Sequence, residues 1–382
     1  MSRLLSEYPP EKIRLFVGSH YDKLAPREGR LPCRRRVFPT TTKTGRFGLG
    51  RLKAALDFTL LPAVVCAAGW MAMRDGIRVI LSVAHGYSFL AAALLSAVTG
   101  KPLVLIVHDD WLAMQGKSFF LGRRVLGRIY IWALRRSAHV YAVSPAMQEC
   151  LRQLSGLDAE LQLPAVDPPA DRADGFVHRE VDIRAPRIIY AGTFLTPDAF
   201  SILIEALKGD FLKERGVVDW RLELYANVDK NLFCRLVPEG DDSRIRLSGW
   251  VSQDQLADVL RQADILFLPN SFDQEQKSSV QTLLPTKTAD YLRAGKPILV
   301  MAPPYSSLYR YAVAHRFAEV VGTHEPAETA KAIWEIISSK QHREILCRKA
   351  QELFSLHHDM RAQRSRFYER LKDLAVHRKG PL

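Results

Sequence analysis

Cysteine is scarce in this chain and never occurs in closely spaced pairs. The 382 residues contain five cysteines, an odd number, and none of them forms a Cys-x-x-Cys pair. This pattern argues against a disulfide framework and a structural zinc site, and it is typical of a protein from a reducing compartment. The sequence therefore predicts a cytoplasmic protein.

Long uncharged segments and a secretion signal are lacking as well. Segment 58–73 is shorter than the roughly 20 residues that a membrane-spanning helix needs. Segment 79–100 is longer, but a polar stretch from His85 to Ser88 interrupts it, which indicates a strand, a loop and a helix. The N-terminal segment has no basic-then-apolar signal pattern, so we predict neither a membrane span nor secretion.

The sequence also contains no nucleic-acid-binding motif and no Asp-x-Asp pair. Zinc-finger spacings, an aromatic RNP-like run and a basic leucine repeat are absent, so we expect no nucleic acid partner. Asp109 and Asp110 are adjacent rather than spaced to hold a metal, and Asp241 and Asp242 fall in a predicted loop. We therefore predict no metal and no other cofactor.

Positive charge, in contrast, is abundant and unevenly placed. Of the net charge of +13, the first 180 residues carry +10 and the remainder only +3. One interpretation is a solvated basic surface. The other is that the first half meets an anionic partner, such as a membrane surface or a lipid-linked phosphate.

The order of apolar segments predicts an α/β protein with two domains. Short apolar runs alternate with helix-length stretches, which is typical of β-α-β units with parallel strands. Segment 21–46 is basic, contains prolines and is predicted to be an irregular loop, and segment 49–73 is predicted to be helical. The periodicity is lost over 164–186, where prolines and acids accumulate, so the domain boundary is placed there. The predicted strands are 13–17, 79–83, 103–107, 139–143, 187–190, 221–225, 245–247, 265–268, 298–301 and 318–321.

Several motifs in both halves resemble those of a known family. In the first half they are Gly100-Lys101-Pro102, Ile106-Val107-His108-Asp109-Asp110-Trp111 and Ala142-Val143-Ser144. In the second half they are Arg246-Leu247-Ser248-Gly249-Trp250, Asp264-Ile265-Leu266-Phe267-Leu268-Pro269, Pro285-Thr286-Lys287 and Asp290-Tyr291-Leu292-Arg293-Ala294-Gly295-Lys296-Pro297. Their order and spacing resemble those of GT-B glycosyltransferases, most of all glycosyltransferase family 4.

The resemblance covers nearly the whole chain and implies a fold. It implies two facing Rossmann-like domains with a deep cleft between them. On this basis residues 1–168 form an acceptor-binding domain and residues 169–355 a domain that binds the nucleotide-sugar donor. Residues 356–382 form a C-terminal helix that crosses back to the first domain.

The donor site is expected in the second domain. Gly192 and Thr193 follow a predicted strand, where a glycine lets backbone amides approach a phosphate. Thr286 and Lys287 begin a predicted helix and offer amides, a hydroxyl and an ammonium group to a diphosphate. The simpler alternative is a capped helix with a surface lysine.

Two further residues are assigned to the donor nucleoside. Trp250 either flanks the base or belongs to the core, and the resemblance assigns Asp290 to the ribose.

The reacting groups are expected in the first domain. His108 follows a predicted buried strand and, as the resemblance implies, lies beside the transferred sugar, with Asp109 orienting it or acting on the acceptor hydroxyl. A structural histidine is the alternative. His85 and Tyr87 form a second cluster at a strand end.

Two departures from the family pattern concern the donor site. The family usually has two glutamates seven residues apart, whereas this chain has Thr282 and Asp290. The basic pair that often follows Gly192 is also missing. Either Lys287, Lys277 or Arg310 takes over the diphosphate, or the donor is atypical, or catalysis is weak or absent.

Amphipathic helices with basic edges suggest where the acceptor binds. One predicted helix begins near Leu49 and carries Arg51 and Lys53, and another carries Arg124 and Arg128 beside apolar residues. Such faces suit an anionic membrane surface, although core helices with solvated arginines are an equal alternative.

The sequence therefore predicts a retaining, metal-independent glycosyltransferase. It would use a nucleotide-sugar donor and a glycan or lipid-linked acceptor, in cell-surface polysaccharide biosynthesis, with peripheral contact to the inner face of the membrane. Two alternatives are a nucleotide-sugar 2-epimerase on the same scaffold and a non-catalytic GT-B partner subunit.

Overall fold

The computed structural model of the chain describes residues 2–18, 31–38, 58–112, 123–169, 180–193, 196–237 and 243–376. Its contacts divide the chain into two compact units. Unit 1 comprises Met1–Gln162 and Met360–Leu382, and unit 2 comprises Leu163–Asp359. Both contain parallel β-strands and helices, as the predicted α/β fold class requires.

Unit 1 contains two parallel sheets. Strands β1 (Arg14–Gly18) and β2 (Arg34–Phe38) form a two-stranded sheet. A four-stranded sheet has the order β3-β4-β5-β6, with strands Ile80–Val83, Leu103–Val107, His139–Ala142 and Glu160–Leu161. The helices of unit 1 are α1 (Ser2–Leu5), α2 (Leu61–Arg74), α3 (Ser88–Thr99), α4 (Arg123–Arg136), α5 (Pro145–Ser155) and the last helix of the chain.

Unit 2 is built on a six-stranded parallel sheet. Its order is β12-β11-β10-β7-β8-β9, and the strands in chain order are Arg187–Ala191, Arg221–Tyr225, Ile245–Leu247, Ile265–Pro269, Ile298–Met301 and Glu319–Val321. The helices are α6 (Pro197–Lys208), α7 (Asp210–Lys213), α8 (Lys230–Leu236), α9 (Gln253–Arg261), α10 (Lys277–Thr282), α11 (Lys287–Ala294), α12 (Ser307–His315), α13 (Pro326–Ser338) and α14 (Lys340–Leu353).

The centre of the six-stranded sheet is covered on both faces, which explains the continuous apolar runs of strands β7, β10 and β11. Ile188 and Tyr190 of β7 belong to one buried cluster, whereas Ile189 and Ala191 belong to another. Successive side chains of a strand point to opposite faces, so the two clusters lie on the two sides of the sheet. Side chains on both sides of β7 are therefore packed, which fixes the position of its carboxyl end in the sheet.

The last helix, α15 (Met360–Val376), packs in unit 1. Arg364 Nε donates a hydrogen bond to the carbonyl of Arg3 (2.9 Å), and the Tyr368 hydroxyl donates one to the carbonyl of Leu4 (2.9 Å). A π-helical turn, Phe354–His358, precedes this helix, and its His358 Nδ1 lies 2.6 Å from the carbonyl oxygen of Pro164. Tyr311 contacts the other ring nitrogen at 2.9 Å, so the buried imidazole is held on both sides.

One prediction from the sequence needs correction, and two others concern residues that the structure does not describe. Segment 21–46 was predicted to be an irregular loop, but β2 lies within it, because its backbone pairs in parallel with β1. The predicted basic helix around Leu49, Arg51 and Lys53 lies outside the described residues, as do Asp241 and Asp242. The described part of the predicted helix 49–73 contains α2.

Candidate functional site

The candidate donor site of unit 2 lies at the carboxyl end of strand β7. Gly192 follows this strand, and its amide donates a hydrogen bond to the carbonyl of Tyr225 at the end of β8 (3.1 Å). The φ of Gly192 is +141°, a conformation that side chains with a Cβ rarely adopt. Ligands in open α/β sheets bind at this edge. The predicted glycine turn is therefore present.

Lys287 meets this glycine from helix α11. A Cβ added to Gly192 would lie 3.1 Å from Lys287 Cε and 3.2 Å from its Nζ, so any larger residue would crowd the end of the lysine side chain. The ammonium group contacts the hydroxyl of the buried Tyr190 and lies 4.1 Å from the centre of that ring. The alternative of a surface lysine is therefore wrong.

The environment of Lys287 changes its protonation. Burial lowers the pKa of the ammonium group to about 7, because the charged form loses hydration there. An anion bound beside the group would restore the charged form. A lysine that is half neutral near pH 7 and next to a glycine turn is suited to an anionic ligand.

Two tyrosines hold this arrangement together, and neither is among the site residues predicted from the sequence. The Tyr190 hydroxyl donates to the carbonyl of Thr193 as well as contacting Lys287. The amide of Ala191 donates to the Tyr291 hydroxyl (2.9 Å), which fixes α11 against β7. A signal for Tyr190 was available, since a tyrosine in an otherwise aliphatic buried strand needs a partner for its hydroxyl.

The remaining predicted donor residues surround α11. Thr286 is exposed just before the helix and makes no side-chain cap to it. Asp290 is buried, lies 3.6 Å from Arg293, and accepts a hydrogen bond of 3.5 Å from Gln253. Trp250 is 64% exposed, so the core alternative for this residue is wrong. Thr193 is exposed at the end of the glycine turn.

The other basic candidates for the diphosphate are engaged elsewhere. Arg310 donates hydrogen bonds to the carbonyls of Gln281 (2.9 Å) and Ser306 (3.4 Å). Lys277 lies 5.0 Å from the centre of the Tyr305 ring. Of these two and Lys287, it is Lys287 that lies at the glycine turn.

The candidate reacting groups of unit 1 lie at the carboxyl ends of β3 and β4. His85 follows β3, and its Nδ1 is 3.8 Å from Asp109 Oδ2, an ion-pair distance that is too long for a hydrogen bond. The proximity of His85 is the main reason why the pKa of Asp109 is lowered. Burial lowers the pKa of His108, so this imidazole is neutral at pH 7.

Trp111 fixes the two strand ends to each other. Its indole nitrogen donates a hydrogen bond to the carbonyl of Gly86 (2.8 Å). The ring is buried, stacks on Tyr130 at 5.4 Å and meets Phe89 edge-on at 4.9 Å. Tyr87 immediately precedes α3 and packs against the same core. The structure thus brings His85, His108 and Asp109 to one edge of the sheet.

The proposed acceptor residues Arg124 and Arg128 are exposed on α4. The apolar side of this helix packs into the core of unit 1 through Leu126, Tyr130 and Leu134. Most of the apolar side of α4 is therefore used inside the protein, whereas Val125 and Trp132 are exposed on this helix.

The described residues hold no group of three or more His, Cys, Asp or Glu side chains arranged to bind a metal. None of the described helices has the length and apolar character that would let it cross a bilayer.

Solved structures of similar fold cover nearly the whole chain. Anabaena HepE in complex with UDP and glucose has 16% identity and a TM-score of 0.64, over 97% of this chain and 94% of HepE. A glycosyltransferase from Rickettsia africae has 11% identity and a TM-score of 0.61, over 90% and 86% of the two chains. A putative UDP-N-acetylglucosamine 2-epimerase from Listeria monocytogenes has 11% identity and a TM-score of 0.53, over 94% and 96%. At these identities the likeness shows the fold alone.

Family models match both halves of the sequence. The model described as Glycosyltransferase Family 4 matches residues 19–167, and the model described as Glycosyl transferases group 1 matches residues 185–339. A comparison with curated proteins gave no significant match. The two models together span more than half of the chain, which belongs to the GT-B glycosyltransferases and resembles family 4.

Proposed function

We propose that unit 2 binds the diphosphate of a UDP-sugar at Gly192, Thr193 and the start of α11, with Lys287 as the charged partner. The single observation that carries this proposal is the position of the Lys287 ammonium group, which lies beside Gly192 and contacts the hydroxyl of Tyr190. The HepE structures contain UDP, UDP with glucose, and UDP-glucose, which makes UDP-glucose the first donor to test.

Transfer from such a donor requires stabilisation of the departing diphosphate. Backbone amides at the start of a helix and an adjacent ammonium group stabilise this growing negative charge. We infer that these groups take the place of a metal, so turnover should be unchanged after treatment with EDTA. Loss of turnover that Mg²⁺ restores would contradict this inference.

The remaining candidate residues are proposed to bind the nucleoside, the transferred sugar and the acceptor. Trp250 and Asp290 bind the nucleoside, and His108 and Asp109 of unit 1 contact the transferred sugar and the acceptor hydroxyl. His85 and Tyr87, with Arg124 and Arg128, belong to the acceptor side. The acceptor is a glycan or a lipid-linked sugar in cell-surface polysaccharide assembly. Transfer retains the anomeric configuration, which NMR of the product tests directly.

The decisive experiment measures donor binding by calorimetry. Lys287→Met should weaken UDP-glucose binding by more than about tenfold, because a charge-assisted contact to phosphate is lost. Lys277→Met removes the same charge at the other lysine considered for this role, and Lys331→Met removes it from an exposed helix position. Both should bind as the unmodified chain does. Equal binding by Lys287→Met, or weakening only in Lys277→Met, would contradict the assignment.

The two alternatives give different products in the same assays. A 2-epimerase would convert UDP-N-acetylglucosamine without any acceptor. A non-catalytic subunit would bind a UDP-sugar and neither hydrolyse nor transfer it. This second alternative is motivated by Thr282 and Asp290, which stand where the family usually has glutamates.

A further inference from the structure

Helix α2 of unit 1 is apolar on its outer side as well as on its inner side. Its inner side chains, among them Leu61, Val65 and Met71, are buried in the core. The exposed positions are Pro62, Ala63, Cys66, Ala67, Trp70 and Met73, followed by Arg74 at the end of the helix. A surface helix normally has a polar outer side, so the apolar outer side of α2 requires a partner.

The neighbouring helix α3 extends this apolar surface. The two helices pack side by side, since a Cβ at Gly69 would lie 3.5 Å from Leu95 Cδ1. On α3, Leu94 is 36% and Val98 is 77% exposed, and on α2, Trp70 is 51% and Met73 is 68% exposed. We call the exposed side chains of Trp70, Met73, Leu94 and Val98 the α2–α3 face. Large apolar side chains that gather on one surface mark an interaction site.

The charges beside this face are positive. The guanidinium groups of Arg36 and Arg74 lie 5.6 Å and 4.8 Å from the centre of the Trp70 ring. Asp75 follows Arg74, but it is largely buried and forms ion pairs with Arg14 (2.7 Å) and Arg74 (3.0 Å). The partner should therefore combine an apolar region with negative charge.

A second copy of this face fits poorly, because it would bring two sets of arginines together. An anionic lipid bilayer offers both required properties: acyl chains for Trp70 and Met73, and phosphate groups for the arginines. Tryptophan is also favoured at the boundary between acyl chains and headgroups. We propose that the α2–α3 face docks unit 1 onto an anionic lipid bilayer. The inference deepens the proposed function, on which it rests, because a bilayer would carry a lipid-linked acceptor.

The experiment is cosedimentation of the full chain with phosphatidylcholine vesicles, with and without roughly one third phosphatidylglycerol. We expect binding to the anionic vesicles that decreases with salt, and at least about tenfold weaker binding for the double variant Trp70→Ser, Met73→Ser. The matched control is Val125→Ser, Trp132→Ser, which removes the two exposed apolar side chains of α4 and should bind as the unmodified chain does.

Three results would overturn the inference. They are no binding to anionic vesicles, equal binding by the Trp70 and Met73 variant, and a dimer in light scattering that this variant converts to a monomer. UDP-glucose binding in solution is measured on the same proteins and should be unchanged. Vesicle binding without any nucleotide binding would leave the docking surface intact and reject the proposed function instead.

Discussion

The two units hold their candidate site residues in different ways. In unit 2, Lys287 contacts a buried tyrosine and a glycine turn, and a second tyrosine fixes its helix to the sheet. In unit 1, His85 is 40% and Asp109 is 25% exposed, and their closest approach is 3.8 Å. The side chains of the first site are fixed by packing, whereas His85 and Asp109 of the second are partly exposed to solvent and held by no short contact to each other.

This difference matches the chemistry that each site is proposed to perform. A diphosphate is a ligand of fixed shape and charge, and a site that is ordered before binding loses little entropy when the ligand arrives. Groups that act on an acceptor tighten their contacts only when the substrate is present. Changes in unit 2 should therefore affect donor affinity, and changes in unit 1 should affect turnover.

The largest effect is expected from His108→Ala. Removal of a group that contacts the reacting sugar should lower kcat by about 1,000-fold, because positioned polar and acid–base groups contribute about 100- to 10,000-fold. The dissociation constant for UDP-glucose should stay within about twofold, which calorimetry measures.

His139→Gln is the matched control for this variant. His139 lies in the same sheet but at the start of β5, where it contacts Glu160 at 2.9 Å. Its turnover should be unchanged. If His108→Ala retained full activity, or lost donor binding instead, the division of roles between the units would be wrong.

The second effect concerns the glycine turn of unit 2. Gly192→Ala should weaken UDP-glucose binding by about tenfold or more. The new Cβ would crowd the end of the Lys287 side chain and shift it, and the alanine would stand in a strained backbone conformation. Gly216→Ala has a similar strain, at φ +82°, but its Cβ would meet nothing within 4 Å. Both variants should be less stable by about 1–3 kcal/mol in denaturant unfolding. Equal loss of donor affinity in both would show that Lys287 is not the cause.

The third effect is a pH dependence of donor affinity. Since the pKa of Lys287 is lowered to about 7, the lysine is charged below pH 7 and neutral above it in the free protein. Bound diphosphate favours the charged form, so binding above pH 7 must take up a proton. Affinity for UDP-glucose should then fall by up to about tenfold per pH unit between pH 7 and the pKa of the complex.

Calorimetry in two buffers of different ionisation enthalpy measures this proton uptake directly. Intact UDP-glucose is the suitable ligand, because it lacks the terminal phosphate that titrates near pH 6. Lys287→Arg, which stays charged at every pH used, should show no such dependence. A flat profile in the unmodified chain would contradict the combination of a lowered pKa and a phosphate contact at Lys287.

Much of the fold could be predicted because its strands carry apolar residues at the positions that face a core. Strands 103–107, 221–225, 245–247 and 298–301 were predicted with their observed bounds, since short apolar runs are interrupted there by glycine, proline or charge. Strand β2 was missed because it contains Arg34, Arg35 and Arg36, and only its pairing with β1 identifies it.

The donor site could be predicted only in part. The glycine turn and the helix start are local features, and both were located from the sequence. The inward direction of the Lys287 side chain depends on Tyr190, which is 97 residues away in the chain. The tyrosine in strand β7 signals a buried partner for its hydroxyl but does not say which one, so a surface lysine stays open as an alternative until the two segments are placed together.

The smallest effect is expected from His85→Gln, and it tests the open character of the unit 1 cluster most directly. A half-exposed pair at 3.8 Å interacts weakly, because solvent screens the charges. The variant should therefore unfold at nearly the same denaturant concentration as the unmodified chain, and its kcat should be lower by only about threefold. The pKa of Asp109 should rise slightly, because the neighbouring imidazole is lost. The pH profile of kcat measures that rise. A loss as large as that of His108→Ala would mean that His85 and Asp109 act as one tightly coupled unit once the acceptor is bound, and the contrast between the two sites would then hold only for the free protein.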